Sequence, residues 1–318
     1  MTNRDSRLRL LVDAAFIFLV GAAFRIAALA VLARANNDSL GGLLNKWDSD
    51  YYLGIAEAGY FAADLNTDVP VDHRTLAFFP GFPALVRLVH EVTRLDIATA
   101  AAAVNVAAGV AMTAGAMAIA LRMRAGRAGQ IGAGILVSSA PMSITYSMPY
   151  SEALFGALVF WSIVSLMDRR WGRAAGLIFL LGFTRLTAVA MIGVFGLVLL
   201  LQARRDRRAW ACLALTPWSL LGYLAWASWH TRAAGGYFGI QEAGWHSGFD
   251  FGAATVRWVW EVLTTSAEGG YLLSVGVMAA AVVALVAAWG RTPLEVWWFS
   301  AAILATVLLS DGIMHSRP

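Results

Sequence analysis

Long apolar runs separated by short arginine clusters set the pattern of this chain. A helix needs about 20 consecutive apolar residues to cross a hydrocarbon core, and runs of that type lie at 10–33, 96–121, 130–147, 151–167, 209–229, 270–290 and 294–310. Arg4, Arg7 and Arg9 precede the first run, and Ala33-Arg34-Ala35 has the outline of a cleavage site. The run is far longer than the roughly 7–15 apolar residues of a secretory leader. The first helix is therefore expected to remain as an anchor with its N-terminus inside.

Arginine placement predicts the topology, because basic residues collect on the inner side. Arg122, Arg124 and Arg127, then Arg169, Arg170 and Arg173, then Arg204, Arg205, Arg207 and Arg208 should all be internal. This requires that 76–93 does not cross. With Pro80, Pro83, Arg87 and Glu91, that stretch suits an amphipathic helix on the outer surface. It also requires that 174–201, basic at both ends, goes in and returns. The length is too short for two full spans, so it predicts two short helices with a turn near Phe183–Leu186 and Arg185 at the tip. Irregular backbone at that depth is acceptable where it lines an enclosed cavity. Two long outer segments remain, about 34–95 and 230–268.

Composition agrees with the pattern. Of 318 residues, 59% are hydrophobic and 14% charged, against roughly 45–50% and about 25% in soluble domains. That excludes a soluble enzyme, a DNA-binding module and a disordered tail. The net charge of +4 reflects the inner arginines, and no nucleic-acid partner is expected. Cys212 is the single cysteine, so neither an intrachain disulfide nor a cysteine metal cluster can form. Residues 35–75 hold seven acids against Lys46 and Arg74, a net charge of −5. Most of the polar chemistry thus falls on one side of the membrane.

The densest cluster is Trp47-Asp48-Ser49-Asp50-Tyr51-Tyr52-Leu53-Gly54-Ile55-Ala56-Glu57-Ala58-Gly59-Tyr60, which reads as a short helix opened by Asp48 and stopped by Gly59. At about 100° per residue, Asp48 and Asp50 diverge while Asp50 and Glu57 share a face. Asp48 as an N-cap with the other acids solvated is the plain reading. Asp-Ser-Asp also fits a metal-binding pair, although no nucleotide-binding domain accompanies it. Ala77-Phe78-Phe79-Pro80-Gly81-Phe82-Pro83 reads as an interface anchor. Pro149-Tyr150-Ser151-Glu152 opens another outer helix, where Glu152 suits the helix dipole. Arg185 lies in an apolar run with no acid in its own hairpin, so either it snorkels or it meets an anion such as a lipid phosphate. Arg25 raises the same question within the first helix, and Asp13 reads as interfacial. Tyr237 to His246, including Gln241 and Trp245, reads as a sugar-binding surface or an interface belt.

Taken in order, W-D-x-x-Y-Y-x-x-I-A-E-x-G-Y, A-F-F-P-x-F-P, P-Y-S-E-A-L-F, T-R and Q-x-x-x-W resemble the PIG-V-like mannosyltransferases, GT-C fold enzymes of GPI-anchor assembly with bacterial relatives. The resemblance runs from Trp47 onward. It implies an all-α, polytopic, GT-C-like fold forming a single domain over 1–318, and an inverting transfer of mannose from a polyprenyl-phosphate donor to a lipid or glycolipid acceptor on the outer face. The acid of the family's first-loop W-D motif falls on Asp48, implying a catalytic role, and its T-R pair falls on Thr184 and Arg185, with Arg185 toward the donor phosphate. Trp47, Asp50, Tyr52, Glu57, Glu152, Gln241 and Trp245 are candidate substrate-binding residues. No cofactor is implied, and a divalent metal is an alternative without further support. The sequence departs from the family at Leu186-Thr187-Ala188, and it ends where the family has further apolar helices, which suggests a C-terminal truncation. Its Arg- and Ala-rich loops resemble those of bacterial members of the family, which implies a place in a bacterial plasma membrane among membrane lipids. The alternatives are transfer of another prenyl-phosphate sugar, such as arabinose, or a lipid-linked sugar transporter. A transporter would show internal repeats, and none is found.

Overall fold

The computed structural model describes residues 3–62, 74–140, 142–245, 248–265 and 268–311. Over these residues the chain is helical, and the described residues contain no strand beyond one isolated bridge between Phe249 and Ser310. In order, the helices are α1 (Asn3–Ala35), α2 (Leu40–Leu44), α3 (Ser49–Ala58), α4 (Gly81–Thr93), α5 (Ile97–Arg122), α6 (Arg127–Ser138), α7 (Glu152–Met167) and α8 (Trp171–Leu181). They continue as α9 (Ala188–Gln202), α10 (Arg207–Leu215), α11 (Pro217–His230), α12 (Gly236–Trp245), α13 (Ala253–Thr265), α14 (Gly269–Ala287) and α15 (Leu294–Leu308). Among the described residues, α1, α5 and α14 are long and apolar enough to cross a membrane, and α7, α8, α9 and α15 are shorter apolar helices. The protein is an all-α, multi-pass membrane protein.

Helix α5 is the central element and packs on α1, α6 and α7. Close approach is possible because small residues face bulky ones, which suits association inside lipid. At Gly109 of α5 a β-carbon would fall 2.1 Å from the Phe18 ring of α1, and at Gly156 of α7 it would fall 2.5 Å from the sulfur of Met112. A second apolar layer joins α7, α8 and α9 to α10 and α15 through Ile163, Leu166, Ile178, Leu181, Met191 and Phe195.

Ion pairs mark one end of the bundle. Arg122 at the end of α5 holds Asp168 beyond α7 through bonds of 2.8 and 2.6 Å, and Arg127 at the start of α6 lies 3.0 Å from Asp13 of α1. The Trp171 indole of α8 donates to Asp206, the N-cap of α10, at 3.1 Å. All of these groups fall within or beside the arginine clusters, at the end remote from the 47–60 cluster. Asp13 is thus tied to the arginine-rich end.

The spans differ from the sequence reading in two places. The 130–147 run is not one helix: α6 stops at Ser138 and a 3₁₀ turn follows at Ser143–Tyr146. Pro141 lies in that interval, and proline disfavours helix both at its own position and at the residue before it. The 209–229 run divides at Thr216 into α10 and α11, with Pro217 as the first residue of the second helix. The hairpin is as expected: α8 and α9 are joined by a turn over residues 182–187. Helix α4 is amphipathic, with Phe82, Pro83 and Val86 buried and Arg87, Leu88, Glu91 and Val92 exposed. The 230–268 segment is not a plain loop and carries α12 and α13.

Opposite the ion-paired end lies a compact aromatic core built from α3, the 75–82 segment, α11 and α12. Phe78, Phe79 and Phe82 are 7%, 3% and 0% exposed. The Phe-Phe-Pro-Gly-Phe-Pro motif is thus a core plug, which corrects its reading as an interface anchor. The Tyr60 hydroxyl donates to the Phe78 carbonyl at 2.8 Å, and the Tyr223 hydroxyl donates to the same carbonyl at 2.6 Å. Both bonds satisfy the Phe78 carbonyl, which lies just before α4 and its N-cap Pro80.

Candidate active site

Helix α3 starts and stops where the sequence places it, with Asp48 as N-cap and Gly59 as C-cap at φ 83°. Asp48 nevertheless makes no side-chain capping bond. Its backbone N–H donates to the Tyr150 hydroxyl at 2.9 Å, and its half-buried carboxylate accepts a hydrogen bond from the side chain of Trp245. Burial raises the Asp48 carboxyl above the ordinary carboxylate range. The Trp245 hydrogen bond opposes that rise, nearby Glu152 adds to it, and nearby Arg185 opposes it. The N-cap position therefore sets the direction of Asp48 without using its charge.

Tyr52 lies one turn along α3 and is 5% exposed, with its hydroxyl 2.9 Å from Ser151 Oγ. Burial raises this phenol well above its usual value. Ser151 is completely buried and also accepts from Arg185 Nη1 at 3.3 Å. Arg185 Nη1 lies 2.7 Å from Glu152 Oε1, at the first turn of α7. An acid from another helix thus supplies the partner missing from the arginine's own hairpin. The other Glu152 oxygen, Oε2, is buried with no hydrogen-bond partner. The two side chains keep 39% and 29% of their surfaces exposed, so the pair opens onto the site rather than being sealed in the core.

The hairpin tip is fastened to the outer core. The Gly81 N–H, at the start of α4, donates to the Phe183 carbonyl at 2.7 Å, beside Thr184 and Arg185. A β-carbon at Gly81 would fall 2.8 Å from that carbonyl oxygen, so the close approach requires glycine. Thr184 is 2% exposed and donates to the Leu181 carbonyl at 2.6 Å, closing the turn. Thr184 serves the turn, and Arg185 faces the site.

Helix α12 supplies the other wall. Trp245 meets Phe78 edge-on at 5.3 Å and Tyr51 at 6.0 Å, and Tyr51 stacks on Phe78 at 4.7 Å. Gln241, one turn earlier, donates to the Ala77 carbonyl at 3.1 Å and to the Tyr237 hydroxyl at 3.0 Å. Gln241 thus ties α12 to the core and lies behind Trp245.

The structure gathers Asp48, Tyr52, Glu152, Arg185 and Trp245, and separates the other candidates from them. Trp47 is 68% exposed, with a left-handed φ of 60°, and turns the chain into α3. Asp50 and Glu57 lie on the exposed face of α3, as their spacing predicts. Asp50 therefore faces solvent while Asp48 turns inward, and the two do not form a chelating pair. Among the described residues, no three His, Cys, Asp or Glu side chains gather into a metal-binding group. Asp64 and Asp68 of the acidic segment lie outside the described residues, as do Asp72 and His246. Tyr150 and Ser151 were visible in the P-Y-S-E motif but not distinguishable from a helix start, because their partners lie about 100 residues away.

Residues 18–205 match the family described as mannosyltransferase (PIG-V). The chain is similar to the Mus musculus protein GPI alpha-1,6-mannosyltransferase 2, with 29% identity over 196 residues, 57% of this chain and 36% of the mouse protein. The Rattus norvegicus protein of the same name is 30% identical over 158 residues, 45% of this chain and 29% of the rat protein. The matches thus span about a third of the length of these relatives. No solved structure matches the chain.

Proposed function

Because the chain belongs to the mannosyltransferase (PIG-V) family, we propose that it transfers mannose from a polyprenyl-phosphate donor to a lipid or glycolipid acceptor, with inversion at the anomeric carbon and a GT-C-like arrangement of helices. One observation carries this reading. A carboxylate at a helix start, free of capping duty, shares a site with the guanidinium of Arg185.

In this mechanism Asp48 accepts the proton of an acceptor hydroxyl as its oxygen bonds to the anomeric carbon. The bond from that carbon to the donor phosphate breaks, and the lipid phosphate leaves with the electron pair. A well-placed base contributes roughly 10²- to 10⁴-fold to such a step. Arg185 offsets charge accumulating on the leaving phosphate, where a planar fork of N–H donors suits the oxygens. Glu152 holds the guanidinium until the phosphate arrives. Trp245 and Tyr51 offer aromatic faces to the sugar.

The arginine clusters favour an orientation with the ion-paired end and the N-terminus in the cytoplasm. The site then faces the outer side of a bacterial plasma membrane, which suits a lipid-linked donor better than a cytoplasmic nucleotide sugar. The reading needs no cofactor.

The test is transfer by the full-length protein in proteoliposomes, using radiolabelled polyprenyl-phosphate mannose and, separately, GDP-mannose. Label moving from the lipid donor to an extractable lipid, with the anomeric configuration reversed, is the expected result. Label moving from GDP-mannose alone overturns the donor assignment, and efficient transfer only from another prenyl-phosphate sugar overturns the choice of mannose.

A further inference from the structure

The irregular passage between α6 and α7 delivers Tyr150, Ser151 and Glu152 to the site, and two polar side chains from apolar helices hold it. Arg25 of α1 donates through Nη1 to the Ser138 carbonyl at 2.6 Å and through Nε to Ser147 Oγ at 3.1 Å. Its guanidinium lies over the Phe18 ring at 5.3 Å, and Phe18 is fully buried against Gly109 of α5. Asn105 of α5 is 1% exposed and donates to the Met148 carbonyl. Arg25 therefore bonds on both sides of the 3₁₀ turn, at Ser138 before it and Ser147 after it, and Asn105 holds Met148, two residues before Tyr150.

An arginine and an asparagine inside apolar helices are costly in lipid and tend to mark function. Neither has a bond to Asp48, Glu152 or Arg185. Each also retains one buried atom without a partner, Arg25 Nη2 and Asn105 Oδ1. Packing alone would be served better by apolar residues of similar size, which would leave no such atoms. What the two side chains bond is the Ser138 carbonyl and Ser147 hydroxyl (Arg25) and the Met148 carbonyl (Asn105), all three at the edges of the 3₁₀ turn rather than inside it. Tyr146, in the middle of the passage, is within electrostatic reach of both Arg25 and Glu152.

We infer that Arg25 and Asn105 are positioning residues, which fix the 143–148 passage and through it the placement of Tyr150, Ser151 and Glu152 around Asp48 and Arg185. The inference rests on the proposed transferase reading for its kinetic part and on the geometry alone for its structural part. Losing either grip lets Glu152 and Tyr150 drift, and a displacement of about 1 Å in a positioned group costs up to roughly 100-fold in rate.

The experiment compares wild type, Arg25→Met, Arg25→Lys, Asn105→Leu and Ser147→Ala, each as the full chain in nanodiscs. Hydrogen exchange over 143–152, with α8 and α9 as internal reference, needs no substrate. Exchange there should rise in Arg25→Met and Asn105→Leu while the hairpin keeps its wild-type rate. In transfer assays, kcat per folded molecule should fall about 10- to 100-fold in Arg25→Met, with partial recovery in Arg25→Lys. Adding Ser147→Ala to Arg25→Met should cost nothing more, because both remove the same contact. Should Arg25→Met not fold, Ser147→Ala carries the test with a smaller change in the same direction. A lowered melting temperature with wild-type exchange over 143–152 and wild-type kcat would overturn the inference and leave Arg25 a packing residue. If wild type transfers from neither donor, the functional proposal fails, while the exchange measurement still decides whether the passage is held this way.

Discussion

Arg185 and Glu152 meet at 2.7 Å, joining the tip of the α8–α9 hairpin to the first turn of α7. One carboxylate oxygen takes the guanidinium, and the other is buried without a hydrogen-bond partner. Removing one member of such a pair strands the other, whereas replacing both leaves no stranded charge. The pair thus separates stability from activity in a testable way.

Arg185→Met should lower transfer by about 100- to 1,000-fold, the scale of losing one donor to a developing anion. Arg185→Lys should recover only part of this, because a point charge replaces the planar fork. The double variant Arg185→Met/Glu152→Gln should regain thermal stability relative to Arg185→Met but not regain transfer. Recovery of both together, measured by melting and initial rate, would make the pair purely structural.

Asp48→Asn should reduce kcat by roughly 10²- to 10⁴-fold while the protein inserts and melts normally. Asparagine caps helices about as well as aspartate, so a capping role would leave the rate intact. Asp50→Asn should keep near-wild-type rates, since that side chain faces solvent. Equal loss at both positions, with inhibition by EDTA, would instead favour a metal on the Asp-Ser-Asp pair.

The environment of Asp48 also predicts a pH dependence. Its carboxyl is raised above the usual range, by burial first. A base works only when ionised, so kcat should fall on the acid side with a midpoint above that range. Trp245→Phe removes a hydrogen bond that favours the charged form and should move the limb to higher pH. Glu152→Gln removes a like charge and should move it lower. For stability the sign is opposite to that of a salt-bridged acid. The native state retains the Asp48 proton longer than the unfolded chain, so stability falls as pH rises from the unfolded to the raised native value. Asp48→Asn should therefore flatten this fall and melt no lower than wild type at neutral pH.

Gly81→Ala should disturb Arg185 through the backbone. The added β-carbon would lie 2.8 Å from the Phe183 carbonyl oxygen, so the hairpin tip must shift. Overpacking of this type costs about 1–3 kcal/mol, and transfer should fall further than stability. Gly172→Ala places its β-carbon on a helix with nothing within 4 Å, so it should be neutral or stabilising.

Orientation is testable by thiol labelling in a Cys212→Ala background. Cysteines at Glu242 of α12 and Ala128 of α6 are both at exposed positions. An impermeant reagent on intact cells should label the first and spare the second. The reverse pattern would put the site on the cytoplasmic side and remove the case for an outer donor.

Much of the fold is legible in local sequence. The lengths of the apolar runs give the long helices, and the arginine clusters mark the ends that Arg122 and Asp168, or Arg127 and Asp13, tie together. The limits of α3 follow from Asp48 and Gly59, and the α8–α9 hairpin follows from a run too short for two spans with basic residues at both ends. These features depend on helical period, length and charge within a few turns, and a linear pattern records those directly.

Only the folded chain decides the rest. Whether the Asp48 carboxylate caps α3 or faces Trp245 depends on α12, which lies almost 200 residues further on. Whether Arg185 is unpaired depends on Glu152, from a helix outside its own hairpin, and whether Phe78 and Phe82 face lipid or core depends on α11 and α12 closing over them. Helical periodicity gives the face on which a residue lies but not what that face meets. The partner is set by which helices pack together and at what height, and that is fixed jointly by contacts such as Gly109 on Phe18 and Gly81 on Phe183.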